Sequence, residues 1–106
     1  MTIDKKYQDD QLTVTVAGRL DTTTAPELEG SLKDALDTVK ELIMDLSQLE
    51  YISSAGLRVL LATQKVMNKQ GEMKVTGVSD VIMEIFEVTG FSDILTIVGS
   101  GEGAAE

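Results

Sequence analysis

From Gln11 to Ala17 apolar and polar residues alternate: Leu12, Val14 and Val16 fall on one face, Thr13 and Thr15 on the other. That two-residue period predicts a half-buried strand. A weaker strand precedes it over Thr2 to Tyr7, and Gln8-Asp9-Asp10 between the two reads as the turn of a hairpin. Gly18 is expected to end the second strand.

The period then changes. Leu28, Leu32, Ala35, Leu36 and Val39 recur at helical spacing behind Thr24. Thr24 and Glu27 have the spacing of a capping box, in which side chain and backbone satisfy each other's unpaired donors, and Pro26 falls in the first turn. Gly30 interrupts this helix at a cost of about 1 kcal/mol against Ala, which implies that another element approaches closely there. Leu42-Ile43-Met44, bounded by Glu41 and Asp45, is apolar on both faces, as in a short central strand buried between layers.

A second helix, capped by Ser53 or Ser54, carries Leu57, Leu60, Leu61 and Gln64 on one face, with Val59, Ala62 and Val66 widening its apolar side. It ends at Asn68-Lys69-Gln70-Gly71, where a cation meets the negative end of the helix dipole and a glycine stops the helix. Met73 to Thr76 forms a short strand. Ser79 or Asp80 caps a third helix bearing Val81, Ile82, Ile85 and Phe86, closed by Thr89-Gly90, and Ile94 to Val98 is the last strand.

The order is strand, strand, helix, strand, helix, strand, helix, strand. It predicts an α/β fold with a mixed sheet of four to five strands, an antiparallel opening hairpin followed by parallel crossovers, covered by helices. At 106 residues the chain suits one domain. That domain is expected over residues 1–98, with the glycine-rich 99–106 as a flexible tail.

Composition narrows the chemistry. There is no Cys and no His among the 106 residues, which removes disulfides, thiolate metal sites, the usual general base and the commonest metal ligand. The formal net charge of −9 makes nucleic acid and anionic membranes poor partners. The N-terminal residues lack the apolar core of a secretory signal, and no run reaches membrane-spanning length. A soluble cytoplasmic protein is the expectation, with no cofactor and no metal site.

Catalytic readings fare poorly against this background. Ser54-Ala55-Gly56 gives half of a nucleophile elbow, but Ile52 stands at the other glycine position and no histidine can take the proton. Phosphate-cradling glycine loops are missing, and no spacing of carboxylates assembles a metal cage. Asp45, at the end of a central strand, sits where a response-regulator receiver accepts phosphate. Yet Asp9-Asp10 lead into a strand rather than a helix, so Asp45 reads as an N-cap or turn residue of the Asp45-Leu46-Ser47 bend.

The remaining puzzle is the pair of hydroxyls in "YISSAGLRVLL", Tyr51 to Leu61. One serine suffices as a helix N-cap, which stabilises by about 1 kcal/mol. If Ser53 is the cap, Ser54 is the first helical residue, its hydroxyl facing out where unpaired N–H groups and the positive dipole end favour a phosphate. Capping and modification both remain open on these residues alone.

"LIMDLSQLEYISSAGLRVLL", preceded by "VAGRLDTTTAPEL" and followed by "GEMKVTGVSDVIMEIFEVTGFSDIL", resembles the STAS domain of bacterial anti-sigma factor antagonists over nearly the whole chain. The resemblance implies the STAS fold and partner switching: the antagonist binds an anti-sigma factor, so freeing a sigma factor. The anti-sigma factor is often also a serine kinase that phosphorylates the antagonist at the start of the second helix and releases it, and a phosphatase reverses the step. The family pattern Asp-Ser-(Ser, Thr or Ala)-Gly-Leu puts the phosphoacceptor on Ser54, its next positions on Ala55, Gly56 and Leu57, and its leading Asp on Ser53. That departure costs a negative charge beside the acceptor and makes Ser53 a second candidate acceptor. Asp21 matches the family's Asp after the second strand, with a contact or turn-capping role, and Arg58 follows one turn behind the serines. The implied partner-binding set is Asp21, Ser53, Ser54, Gly56, Leu57 and Arg58, with no catalytic residue. An unphosphorylated STAS module of a lipid-transport or sensory complex is the alternative.

Overall fold

Five strands and four helices make up the computed structural model, which describes residues 1–98; the tail expected at 99–106 lies outside the described residues. Strands β1 (Thr2–Gln8) and β2 (Gln11–Leu20) form the expected antiparallel hairpin, with Gln8 opposite Gln11. Asp9 turns the chain at a φ of 56°, a left-handed conformation that Asp tolerates better than most residues. Helix α1 (Ala25–Ala35) crosses to β3 (Glu41–Asp45), which pairs parallel to β2. Strand β4 (Leu49–Ile52) leads into α2 (Ser54–Gln70), which crosses to β5 (Glu72–Thr76), parallel to β3. Helices α3 (Asp80–Thr89) and α4 (Phe91–Ile94) follow. The main sheet runs β1-β2-β3-β5, and β4 pairs with the far end of β2.

Alternation decides which face of the sheet is covered. Leu12, Val14, Val16, Leu42, Met44, Met73 and Val75 point to one side and are almost wholly inaccessible, packed with Leu28, Leu32, Leu60, Met67, Ile82 and Phe86 from the helices. The opposite face presents Thr13, Thr15, Ile43, Lys74 and Thr76, all only half-buried. There Gln11 donates to Glu41 at 2.8 Å, and Lys74 pairs with Glu41 at 3.1 Å. Helices therefore cover one face, and β3 is not sandwiched between layers as its apolar run suggests. Ile43 keeps its apolar side chain on the polar face.

Several local expectations are corrected. Strand β2 does not stop at Gly18 but continues to Leu20, because β4, absent from the sequence reading, gives it a new partner. The fifth strand expected at Ile94–Val98 is replaced by α4 and one bridge from Ile97 to Val75. Val39 is buried in the turn after α1 rather than on the helix. Gly30 has nothing within 4 Å of the place its Cβ would occupy, so no close approach explains it. Thr24 forms no capping box: its backbone is helical rather than extended, and its hydroxyl turns back to donate to the carbonyl of Arg19 at 2.8 Å. Ser79, by contrast, caps α3 through the N–H of Ile82, and Gly90 ends that helix at a left-handed φ of 83°.

Candidate functional site

The serines lie where β2 changes partner. Up to Thr15, β2 pairs with β3; from Gly18 it pairs with β4, after a shift in register between Gly18 and Arg19. Gly18 makes the bend with a φ of 96°, the left-handed region where a side chain would be strained. Its N–H donates to the carbonyl of Gln48 at 3.0 Å, and the N–H of Ser53 donates to the carbonyl of Leu20 at 2.9 Å. These two bonds bring the end of β2, and with it Asp21, against the entry to α2.

Ser53 is the N-cap. Its backbone is extended, its Oγ accepts from the N–H of Gly56 at 3.4 Å, and its carbonyl accepts from the N–H of Leu57 at 2.9 Å. Ser54 is the first helical residue and is exposed; its hydroxyl makes no hydrogen bond among the described residues. The first turn of α2 holds no acid, so the unpaired N–H groups and positive dipole end stand without a complementary charge.

Asp21 organises the neighbouring turn. Its Oδ1 accepts from the N–H groups of Thr24 and Thr23 at 3.1 and 3.0 Å and from the Thr24 hydroxyl at 3.2 Å. These bonds, with that of the Thr24 N–H foremost, hold its carboxyl below the usual carboxylate range. Oδ2 lies 3.9 Å from Nε of Arg19, whose guanidinium stacks 4.3 Å above the centre of the Tyr51 ring. Arg19 and Tyr51 are cross-strand partners on β2 and β4. Sequence pattern singles out neither; the two-residue spacing of Arg19 and Asp21 is the available signal for the first.

The expected residues thus separate by depth. Asp21, Ser53, Ser54 and Arg58 reach the surface, whereas Gly56 and Leu57 are buried beneath it. A Cβ at Gly56 would stand 2.7 Å from Cγ of Leu20 and 2.8 Å from Cγ1 of Ile52, so glycine is what lets the helix start seat against β2 and β4. Asp45 accepts from the N–H of Ser47 at 2.9 Å, a bend of the kind its sequence suggests. Among the described residues no group of acidic side chains is placed to hold a metal ion, and no helix is long and apolar enough to cross a membrane.

Comparison with known proteins gives a consistent result. The family model described as STAS domain matches residues 2–104. The anti-sigma-B factor antagonist of Bacillus subtilis is 30% identical over 100% of this chain and 98% of its own length. That of Staphylococcus aureus is 34% identical over 92% of each. The crystal structure of an anti-sigma factor antagonist from Mycobacterium paratuberculosis superposes with a TM-score of 0.83 at 28% identity, covering 91% of this chain and 83% of that one.

Proposed function

The chain belongs to the STAS domain family, and from that premise we propose that it is an anti-sigma factor antagonist switched by phosphorylation of Ser54. It acts by binding, not catalysis, in keeping with relatives named for antagonism. In the unphosphorylated state the surface formed by Asp21, Ser53, Ser54 and Arg58, shaped from below by Gly56 and Leu57, engages an anti-sigma factor and so frees a sigma factor. The anti-sigma factor is also the kinase: as the Ser54 oxygen bonds to the γ-phosphorus of ATP held by the kinase, the bond from that phosphorus to the bridging oxygen breaks, the hydroxyl proton passes to a base of the kinase, and ADP departs. A phosphatase restores the hydroxyl.

One observation carries the reading. Ser54 offers an exposed hydroxyl, unbonded among the described residues, at a helix start that lacks any first-turn acid. A phosphoryl group there adds about −1.5 to −2 charges and meets the dipole favourably. The fold tolerates it, so its cost falls on the partner, through like-charge repulsion and desolvation.

The test combines incubation with the cognate anti-sigma factor and ATP, peptide mass mapping, and a binding assay on Ser54→Asp. Phosphate is expected on Ser54, and Ser54→Asp should lose binding while its melting temperature stays that of the wild type. A chain that binds but is never phosphorylated on serine would return the reading to an unphosphorylated STAS module. Unfolding of Ser54→Asp would make Ser54 a structural residue.

A further inference from the structure

A glycine inside a helix is costly, and Gly30 has no internal packing reason to be one. Its bare backbone instead lines an open groove of about 480 Å³ between α1 and α2, walled by Pro26, Gly30 and Leu36 on one side and Ala62, Thr63 and Val66 on the other. The walls are small or apolar, and Val66 is 44% exposed. A second groove of about 260 Å³ shares Pro26 and Glu29 with the first and runs on to Ala55 and Arg58. Together they form a channel between the two helices that ends at Ala55, the residue after Ser54.

The charge on α2 runs against that of the molecule. The chain has 18 acidic residues against 9 basic, yet α2 carries Arg58, Lys65 and Lys69 and no acid. All three cations are exposed, and none has an ion-pair partner among the described residues. On the α1 wall the groove is edged by Glu29 and Lys33. Arg58 lines the channel, and Lys65 and Lys69 follow it at helical spacing along the same stripe of α2.

We infer that this channel receives an amphipathic helix of the anti-sigma factor, its apolar edge laid against Gly30 and Ala62 and its acidic flank turned towards Arg58 and Lys65. The inference rests on the function proposed above and adds the chemistry of the partner segment. Two packed helices leave between them a groove matched to the ridge of a third, and small side chains let that third helix come close. An extended peptide has less to gain, because the walls are helices whose backbone groups are bonded internally. A second copy of this chain brings another −9 charges and is disfavoured by self-repulsion.

The arrangement also gives phosphorylation a second point of action. Ser54 and Arg58 are four residues apart, neighbours on the surface of α2. A phosphoryl group on Ser54 engages Arg58 and puts negative charge at the mouth of the channel, where the acidic flank of the incoming helix would lie.

The experiment titrates the chain with its cognate anti-sigma factor by calorimetry and maps the surface by backbone amide NMR. The wild type is compared with Gly30→Leu and Lys65→Glu. Gly30→Leu fills the groove where nothing stands within 4 Å, so it should melt no lower than the wild type yet bind about tenfold or more weakly. Lys65→Glu should weaken binding several-fold, and the difference should shrink as salt rises. Wild-type affinity in both variants, or amide shifts confined to the Asp21–Ser54 end, overturns this inference and leaves the proposed function standing. A wild-type chain that binds no anti-sigma factor overturns both. Sedimentation velocity that finds self-association abolished by Gly30→Leu would assign the groove to a second copy and refute the choice of partner.

Discussion

Gly30 and Gly56, the two helical glycines among the described residues, should respond to alanine with opposite signs. A methyl group at Gly56 would stand 2.7 Å from Cγ of Leu20 and 2.8 Å from Cγ1 of Ile52, where carbon atoms at rest keep about 3.5–4.0 Å. Leu20 is 0% exposed and Ile52 2%, so neither has free space to retreat into. Overpacking of this kind costs about 1–3 kcal/mol. Against it stands the helix-propensity gain of at most about 1 kcal/mol, smaller here because Gly56 lies in the first turn. The net expectation for Gly56→Ala is a loss of about 1–2 kcal/mol, or a melting temperature lower by roughly 4–8 °C in a domain of this size.

Gly30→Ala meets no neighbour within 4 Å and should gain about 0.5–1 kcal/mol, raising the melting temperature by a few degrees. Urea unfolding followed by circular dichroism reads both, with the midpoint moving and the slope unchanged if only native stability is altered. Gly56→Ala as stable as the wild type would refute the close seating of α2 against β2 and β4. A loss in Gly30→Ala would mean that the groove beside it is closed in solution.

Other substitutions separate structural from binding roles. Ser53→Ala removes the N-cap and should cost about 1 kcal/mol, whereas Ser53→Asp keeps a capping oxygen and should melt close to the wild type; thermal melts of the pair decide. Asp21 has its folded pKa lowered by the N–H groups of Thr24 and Thr23, so its contribution is complete above the unfolded value and is lost as pH falls through the folded one. Asp21→Asn should therefore lower the neutral plateau while leaving stability at low pH, where the wild-type carboxyl is protonated, nearly unchanged; urea midpoints measured across the acid range read the flattened limb. Gln64 is 5% exposed and donates to Asn68, but its Oε1 has no partner among the described residues. Since a buried unpaired acceptor costs about 1–3 kcal/mol, Gln64→Met should raise the urea midpoint, and a fall would mean that the oxygen is satisfied in solution.

Long elements with a strong period were legible. The alternation of Leu12, Val14 and Val16 located β2, and the helical stripe behind Ser53 located α2. Legibility failed where tertiary pairing makes the element. Leu49-Glu50-Tyr51-Ile52 has buried residues at its ends and exposed ones between, which is not a strand period, and it is a strand because β2 bends at Gly18 and offers it an edge. The apolar segment at Ile94–Val98 has strand composition, but α4 takes its start and a single bridge uses the rest. Ile43 misled for a related reason: an apolar side chain half-buried beside Thr13 and Lys74 looks in sequence like one buried on both sides. Of the site, Ser53 and Ser54 were readable from cap chemistry, while Arg19 and Tyr51 needed the β2–β4 pairing to bring them together.

That pairing bears on which serine can serve as a switch. The Ser53 oxygen is spent on the N–H of Gly56 and sits half-buried between β4 and α2. A phosphoryl group there would have to be accommodated together with the cap, and the Ser53 N–H is itself tied to Leu20. Modification of Ser53 would thus act on the fold first. Ser54 is one residue further on, exposed, with its hydroxyl committed to no bond among the described residues. A charge placed on it acts on whatever approaches α2 and leaves the strand junction alone. A switch that must release a partner many times without unfolding needs the second kind of site, and this division of labour favours Ser54 as the acceptor with Ser53 as its rigid mount.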